Sequence, residues 1–149
     1  IGGVMVQAGW VKEHVDQYKN SEGAEGHLWD RATAEGSFPC LLLTTIGRKS
    51  GESKTTPLVY GRDRENYTII ASQGGRPSHP AWYLNLVSNP KVQVQVAAEK
   101  FSAVACSTLG KERQRLWKMM MEVYPLFDNY QEKVSGVREI PLVILKRKD

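Results

Sequence analysis

From Val92 to Ala98 apolar residues fall on every second position: Val92, Val94, Val96 and Ala98 alternate with Gln93, Gln95 and Ala97. That is the period of a strand with one face buried. The next strand-like run, Phe101 to Ser107, begins after only the turn Ala98-Glu99-Lys100. A parallel partner needs a crossover of a dozen or more residues, so these two strands must pair antiparallel. The same short spacing recurs upstream. Cys40 to Ile46 is an apolar, β-branched run bounded by Pro39 and Gly47, and Thr55 to Gly61 and Tyr67 to Ser72 read as two further strands. The polar stretch Arg62-Asp63-Arg64-Glu65-Asn66 is a hairpin turn between them. Ile140 to Leu145 adds a sixth strand ahead of the charged tail Lys146-Arg147-Lys148-Asp149.

Helical spacing is confined to three places. Val4, Ala8, Val11, Val15 and Tyr18 form one stripe, with Lys12, Glu13, Asp16 and Lys19 opposite, and Asn20-Ser21-Glu22-Gly23 ends that helix. The stripe suits docking on the core or, with Trp10 near its start, peripheral contact with a membrane. Pro80 opens a short helix through Trp82, Tyr83, Leu84 and Leu86 that stops at Asn89-Pro90. A long helix from Lys111 to about Tyr124 aligns Leu116, Met120 and Tyr124, with Trp117 and Met121 beside them, until Pro125 bends or ends it. Helices do not alternate with strands, so a parallel α/β sheet is excluded. The expected fold is mainly β with helices, an antiparallel barrel with peripheral helices, made by 149 residues as one domain.

Composition narrows the function. Basic residues number 20 against 16 acidic, and the resulting +4 is too mild to imply duplex DNA but suits an anionic small molecule. The longest stretch without charge, Pro77 to Pro90, is 14 residues and contains Asn and Pro, which is too short and too broken to span a bilayer. The chain opens at Ile1 without a basic segment leading into a long apolar one, so a cytoplasmic protein whose extreme N-terminus precedes Ile1 is expected. Cys40 and Cys106 lie in apolar runs and read as buried thiols. His14, His27 and His79 show no metal-ligand spacing, and no metal is expected. No GxSxG elbow, Walker loop or strand-borne GxGxxG is present.

Four features remain as site candidates. Gly47-Arg48-Lys49-Ser50-Gly51-Glu52-Ser53-Lys54 joins two strands and offers cations, hydroxyls and glycines, either a phosphate cradle or a solvated hairpin. Ala71-Ser72-Gln73-Gly74-Gly75-Arg76 is a loop where backbone can approach a ligand, or a plain tight turn. Trp82 and Tyr83 are consecutive and point about 100° apart, so one of them faces a pocket unless both pack in the core. Tyr124, Phe127 and Tyr130 share one helical edge, as core or as an aromatic pocket wall.

Several of these motifs stand in one register. Leu42-Leu43-Thr44-Thr45-Ile46-Gly47-Arg48-Lys49-Ser50-Gly51, Pro57-Leu58, Ala71-Ser72-Gln73-Gly74-Gly75, Pro80-Ala81-Trp82-Tyr83-Leu84-Asn85-Leu86, Asn89-Pro90-Lys91-Val92, Val123-Tyr124-Pro125 and Ile140-Pro141-Leu142-Val143 together resemble the deazaflavin-dependent nitroreductase family, whose members use reduced coenzyme F420. The resemblance covers more than two-thirds of the chain, from about Leu41 to the last strand. It implies a split β-barrel related to the FMN-binding oxidoreductases. It also implies that Arg48, Lys49, Ser50 and Lys54 hold the coenzyme's phosphate and anionic tail, with Thr55 and Thr56 beside them. Pro57, Leu58 and Val59 would line the deazaflavin ring, Ile70, Ala71, Ser72, Gln73 and Gly74 would lie along it, and Ala81, Trp82, Tyr83, Leu84 and Asn85 would close the other side. Phe127 would border the coenzyme, while Ser72, Tyr124 and Tyr130 would serve the reaction.

Two positions depart from the family pattern. Gln73 stands where a Lys is frequent, which removes a cation, and Phe127 stands where the nitroreductase prototype has Tyr, which removes a phenol. The implied activity is hydride transfer to a small electron-poor acceptor, a quinone, nitroaromatic or α,β-unsaturated carbonyl. The alternatives are an FMN- or haem-type binder on the same barrel and a coenzyme carrier without efficient turnover. Nucleic acid is not an expected partner, and monomer and dimer both remain open.

Overall fold

Among the described residues six antiparallel strands close on themselves, with a short seventh strand and four helices outside. The computed structural model describes residues 9–30 and 37–148. In chain order they form α1 (Gly9–Asn20), β1 (Leu28–Asp30), β2 (Ser37–Ile46), β3 (Ser53–Asp63), β4 (Asn66–Ile70), α2 (Ala81–Ser88), β5 (Lys91–Val96), β6 (Glu99–Ser107), α3 (Gly110–Val123), α4 (Leu126–Lys133) and β7 (Leu142–Lys148). The strands run β1-β2-β3-β4-β7-β6-β5, and β5 returns to β2 through Leu42↔Gln95 to Thr44↔Gln93, which closes the barrel. Closure leaves few strand edges unpaired.

An edge of β3 stays open among the described pairings. The first half of β3 pairs with β2, from Ser53↔Ile46 to Val59↔Cys40, whereas its second half pairs with β4, from Tyr60↔Ile69 to Asp63↔Asn66. Where β3 changes partner, β4 ends at Ile70 and the chain turns away. Pro57 lies in the half with the open edge, where its missing N–H costs no ladder bond. This parting splits the barrel and makes room for a cavity.

The strands bury two faces. Inside the barrel Leu41, Leu43, Tyr67, Ile69, Val92, Val94, Phe101, Val143 and Leu145 form one core. Outside it, Ile70, Leu142 and Ile144 pack with Leu116, Met120, Tyr124 and Phe127 of the α3–α4 layer. β4 and β7 are thus sandwiched, which explains why Leu142 to Leu145 is apolar at every position. On another side α1 lays Val15 and Tyr18 on Leu42. The described part of the N-terminal stripe therefore faces the barrel; Val4, Ala8 and the Trp10 ring lie outside the described residues.

Several boundaries differ from the sequence expectation. The strand is Asn66–Ile70 rather than Tyr67 to Ser72; beyond it the Ala71 N–H bonds the Pro141 carbonyl, while the carbonyls of Ala71 and Ser72 accept from Arg138. The last strand starts at Leu142 and runs through Lys146, Arg147 and Lys148, which pair with Val104, Ala103 and Ser102. The charges do not prevent this, since Arg147 bonds Glu99 at 2.7 Å and lays its guanidinium over Phe101. The β5–β6 turn is Ala97-Ala98 rather than Ala98 to Lys100, with Ala97 at φ 54°. The Tyr18 hydroxyl holds that turn by accepting the Ala97 N–H at 2.7 Å. The β3–β4 turn is likewise only Arg64-Glu65. Cys40 is buried as expected, but Cys106 is only half-buried.

Candidate active site

At the split lies a cavity of about 140 Å³. One wall is β3 at Pro57, Leu58 and Val59, the second is Ile70, Ser72 and Gly74, and the third is Tyr124, Phe127 and Tyr130. Tyr124 sits in the break between α3 and α4, where its extended backbone and Pro125 redirect the chain. Its ring meets Phe38 and Phe127 edge-on at 4.7 and 4.9 Å, and its hydroxyl is 3.2 Å from that of Tyr130. The wall is apolar at its base and carries two adjacent phenols, which gives an aromatic slot with hydrogen-bond donors at one end.

The Ser72–Gly75 wall is made by unusual backbone. Gln73, Gly74 and Gly75 all have positive φ, at 47°, 63° and 79°. Gly75 is required by close approach, since a Cβ there would sit 3.3 Å from the Tyr130 Cα, while a Cβ at Gly74 would meet nothing within 4 Å. Gln73 turns its amide back on the loop and donates to the Ser78 carbonyl and hydroxyl at 3.3 Å. Ala71, buried, lies behind this wall.

The basic turn stands at the far end of β3, roughly 17 Å from Val59 along five strand residues from Lys54. Arg48, Lys49 and Ser50 are exposed there. Asn85, which α2 holds buried, accepts the Arg48 backbone N–H and guanidinium, each at 3.2 Å, and donates to Thr45 Oγ1. Asn85 thus orients the turn. Ser50 Oγ caps the Glu52 N–H at 3.1 Å, and Lys54 has Glu52 3.8 Å away. Thr55 and Thr56 are half-buried between turn and cavity, and Thr55 Oγ1 bonds Thr44 Oγ1 at 2.7 Å. Trp82 and Tyr83 both pack against the barrel core, with the Tyr83 hydroxyl 3.1 Å from Ser107 Oγ. Leu84 is half-buried on the same helix and Ala81 is exposed. None of Ala81 to Asn85 lines the cavity.

Three residues enter the site without having been singled out. His14 and Cys40 line the cavity. The Gly26 carbonyl can only accept, so His14 Nε2, 2.7 Å away, carries the imidazole proton, and burial pushes the His14 pKa down. His14 was findable: it precedes Tyr18 by four residues and belongs to the same helix face. Arg138, in the loop before β7, braces the Ala71–His79 segment. Nothing in its local sequence marks it.

A split antiparallel barrel with a cavity at the parting of β3 and β4 is the architecture of the flavin and deazaflavin oxidoreductases. Within that class the chain belongs to the F420H(2)-dependent quinone reductase family, whose sequence pattern matches residues 10–147. It is 35% identical to an F420H(2)-dependent quinone reductase of Mycobacterium tuberculosis, over 93% of this chain and 97% of that protein. Among solved structures, an F420-H2 dependent reductase, FDR-A, superposes with a TM-score of 0.67 at 38% identity, over 72% of this chain and 94% of that one. A second structure, described as a domain-swapped dimer, gives 0.69 at 34% identity over 92% and 97%. No helix among the described residues is long and apolar enough to cross a membrane.

Proposed function

We propose that this protein transfers a hydride from reduced F420 to a quinone or a similar electron-poor acceptor held in the cavity beside Tyr124 and Tyr130. The observation that carries the reading is the parting of β3 from β4, which exposes Pro57, Leu58 and Val59 opposite two phenols, in a chain of this family.

The residues present suit a deazaflavin. Its anionic tail needs cations, and Arg48 and Lys49 are exposed with Arg48 braced by Asn85. Its flat ring system needs an apolar strip with an open edge, and β3 from Thr55 to Val59 provides one. The cavity is smaller than the ~300–1,000 Å³ of drug-sized ligand sites, so it takes the acceptor's ring, and the coenzyme belongs along β3 from Val59 towards the basic turn. The reduced coenzyme, when bound, supplies a hydride from a ring carbon.

The protein's part is to hold the acceptor and to steady charge. Phe127, Ile70 and Val59 exclude water from the slot, which strengthens hydrogen bonds made inside it. The Tyr124 and Tyr130 hydroxyls stand 3.2 Å apart, and with Tyr124 donating to its neighbour the Tyr130 O–H can be directed at an acceptor oxygen as it becomes negative. Ser72 can add a third donor from the facing wall. A phenol then hands its proton to that oxygen and regains one from solvent.

The test is titration with reduced F420 followed by menadione. Return of the oxidised deazaflavin absorbance at a protein-dependent rate is expected, and the Tyr124→Phe, Tyr130→Phe double variant should lose about 10²-fold in kcat with little change in coenzyme affinity. Full turnover in that variant would remove the phenols from the reaction. Binding of FMN in place of F420 would overturn the coenzyme assignment, and binding without turnover would make the protein a carrier.

A further inference from the structure

Between Ile70 and Ala81 the chain has no strand or helix beyond the short turn Gln73–Gly75, yet it presents Ser72 and Gly74 to the cavity. The Ala71 N–H bonds the Pro141 carbonyl at 2.9 Å, and beyond that one side chain reaches several of the segment's groups at once. The Arg138 guanidinium donates through Nε to the Arg76 carbonyl at 3.0 Å, through Nη1 to the Ala71 carbonyl at 3.1 Å and to His79 Nδ1 at 2.9 Å, and through Nη2 to the Ser72 carbonyl at 2.7 Å. All three nitrogens are spent on the loop. Arg138 is in turn tied to α4, for Gln131 Nε2 donates to the Arg138 carbonyl at 3.1 Å and Gln131 Oε1 accepts the Ile140 N–H at 2.7 Å. The same helix carries Phe127 and Tyr130 of the opposite wall.

We propose that Arg138 is a positioning residue for the reaction: it locks the Ala71–His79 segment to α4 and thereby sets the gap between the Ser72 wall and the Tyr130 wall. This rests on the reading of the cavity as the acceptor site. Only a planar fork can meet carbonyls of residues 71, 72 and 76 at once; a lysine ammonium is a single point of charge and reaches one or two of them. A misplacement of about 1 Å at the reacting groups can cost on the order of 10²-fold in rate, so the fork acts on turnover without touching substrate.

His79 gives the lock a pH signature. Its Nδ1 accepts from Arg138, so the ring must be neutral at that atom; a proton there would set two cations face to face. Among the described residues the Tyr83 ring, centroid 5.0 Å away, also faces His79. Burial first, and the Arg138 charge second, hold the His79 pKa below its usual value.

The experiment compares wild type, Arg138→Lys and His79→Gln by amide hydrogen exchange and by F420H2–menadione kinetics from pH 8 to 5.5. In Arg138→Lys, exchange at residues 72–76 should speed up at least about tenfold while α3 and β7 stay protected, and kcat should fall about ten- to a hundredfold with the coenzyme KM within about threefold. Glutamine keeps an acceptor but does not titrate, so His79→Gln should retain activity at pH 8 and lose part of the acid-side decline seen in wild type. Unchanged loop exchange and kcat in Arg138→Lys, loosening spread over the whole barrel, or identical pH profiles in wild type and His79→Gln would each overturn the proposal. Should Arg138→Lys fail to fold, the His79→Gln profile still decides. Should wild type lack reductase activity, that reading falls alone, and loop exchange still decides the role of Arg138.

Discussion

Tyr18 is fully buried, and its hydroxyl accepts the Ala97 N–H at 2.7 Å while it faces the carbonyls of Cys40 at 2.9 Å and Gln95 at 3.3 Å. Burial pushes its pKa up to about 12, so it stays neutral and can donate as well as accept. Tyr18→Phe keeps the ring but strands a backbone N–H and a carbonyl. We expect a loss of roughly 1–3 kcal/mol in urea denaturation, with the split end of the barrel unaffected. Thr68 is the opposite case, because its Oγ1 is buried without a hydrogen-bond partner. Thr68→Val keeps the shape and removes that group, so stability should rise by up to about 1 kcal/mol; a fall in denaturation midpoint would mean the hydroxyl has work that its surroundings do not reveal. The two residues differ in legibility. Tyr18 sits on an apolar stripe that sequence spacing exposes, whereas the need of Ala97 for a partner exists only once α1 lies across the β5–β6 turn. Gln95 shows the same limit: alternation marks it as solvent-facing, but the helix covers it and leaves it 7% exposed.

At the scale of elements, hairpin order and helix placement could be read from periodicity, because turns, strand period and helix stripes are local. Partner exchange along β3 could not. It depends on where β4 leaves the sheet, at a point where the chain meets Pro141 and Arg138, far away in sequence. The clamp formed by α1 and its following loop is another non-local device. Gly23 has φ 83°, and a Cβ built there would lie 2.3 Å from the Ala97 Cα. The neighbour is backbone and cannot swing aside. Gly23→Ala should therefore cost at least about 2 kcal/mol, from left-handed strain together with displacement of the β5–β6 turn. Gly61 is instructive beside it, since the atoms nearest to a Cβ there all belong to side chains, the Met120 Sδ, the Met119 Cε and the Val123 Cγ2. Thermal denaturation should rank Gly61→Ala well below Gly23→Ala in damage; the reverse order would place the tighter joint at α3 instead of α1.

Across the whole molecule, each of the three histidines is buried or half-buried. His14, on the barrel-facing side of α1, lines the cavity, His27 bonds the Tyr60 hydroxyl at 2.8 Å, and His79 accepts from Arg138. Burial holds the pKa of all three below 6.5, and for His79 the Arg138 charge adds to it. The unfolded chain therefore binds more protons than the folded one once the pH drops below 6.5, and linkage makes the folded state lose ground with each further step down. These groups contribute their full stability above that pH and lose it as the pH falls through their lowered folded values. The net charge of +4, which grows as histidines take up protons, pushes in the same direction. We expect urea midpoints that are level from about pH 8 to 7 and decline steadily towards pH 5. His27→Gln should make the decline shallower, because glutamine can bond Tyr60 without titrating. A midpoint unchanged between pH 7 and 5 would mean that the histidines ionise in place. Then the neutral form that the Arg138 contact requires would not be the one the fold selects, and any acid-side loss of activity would have to begin at a group other than these histidines.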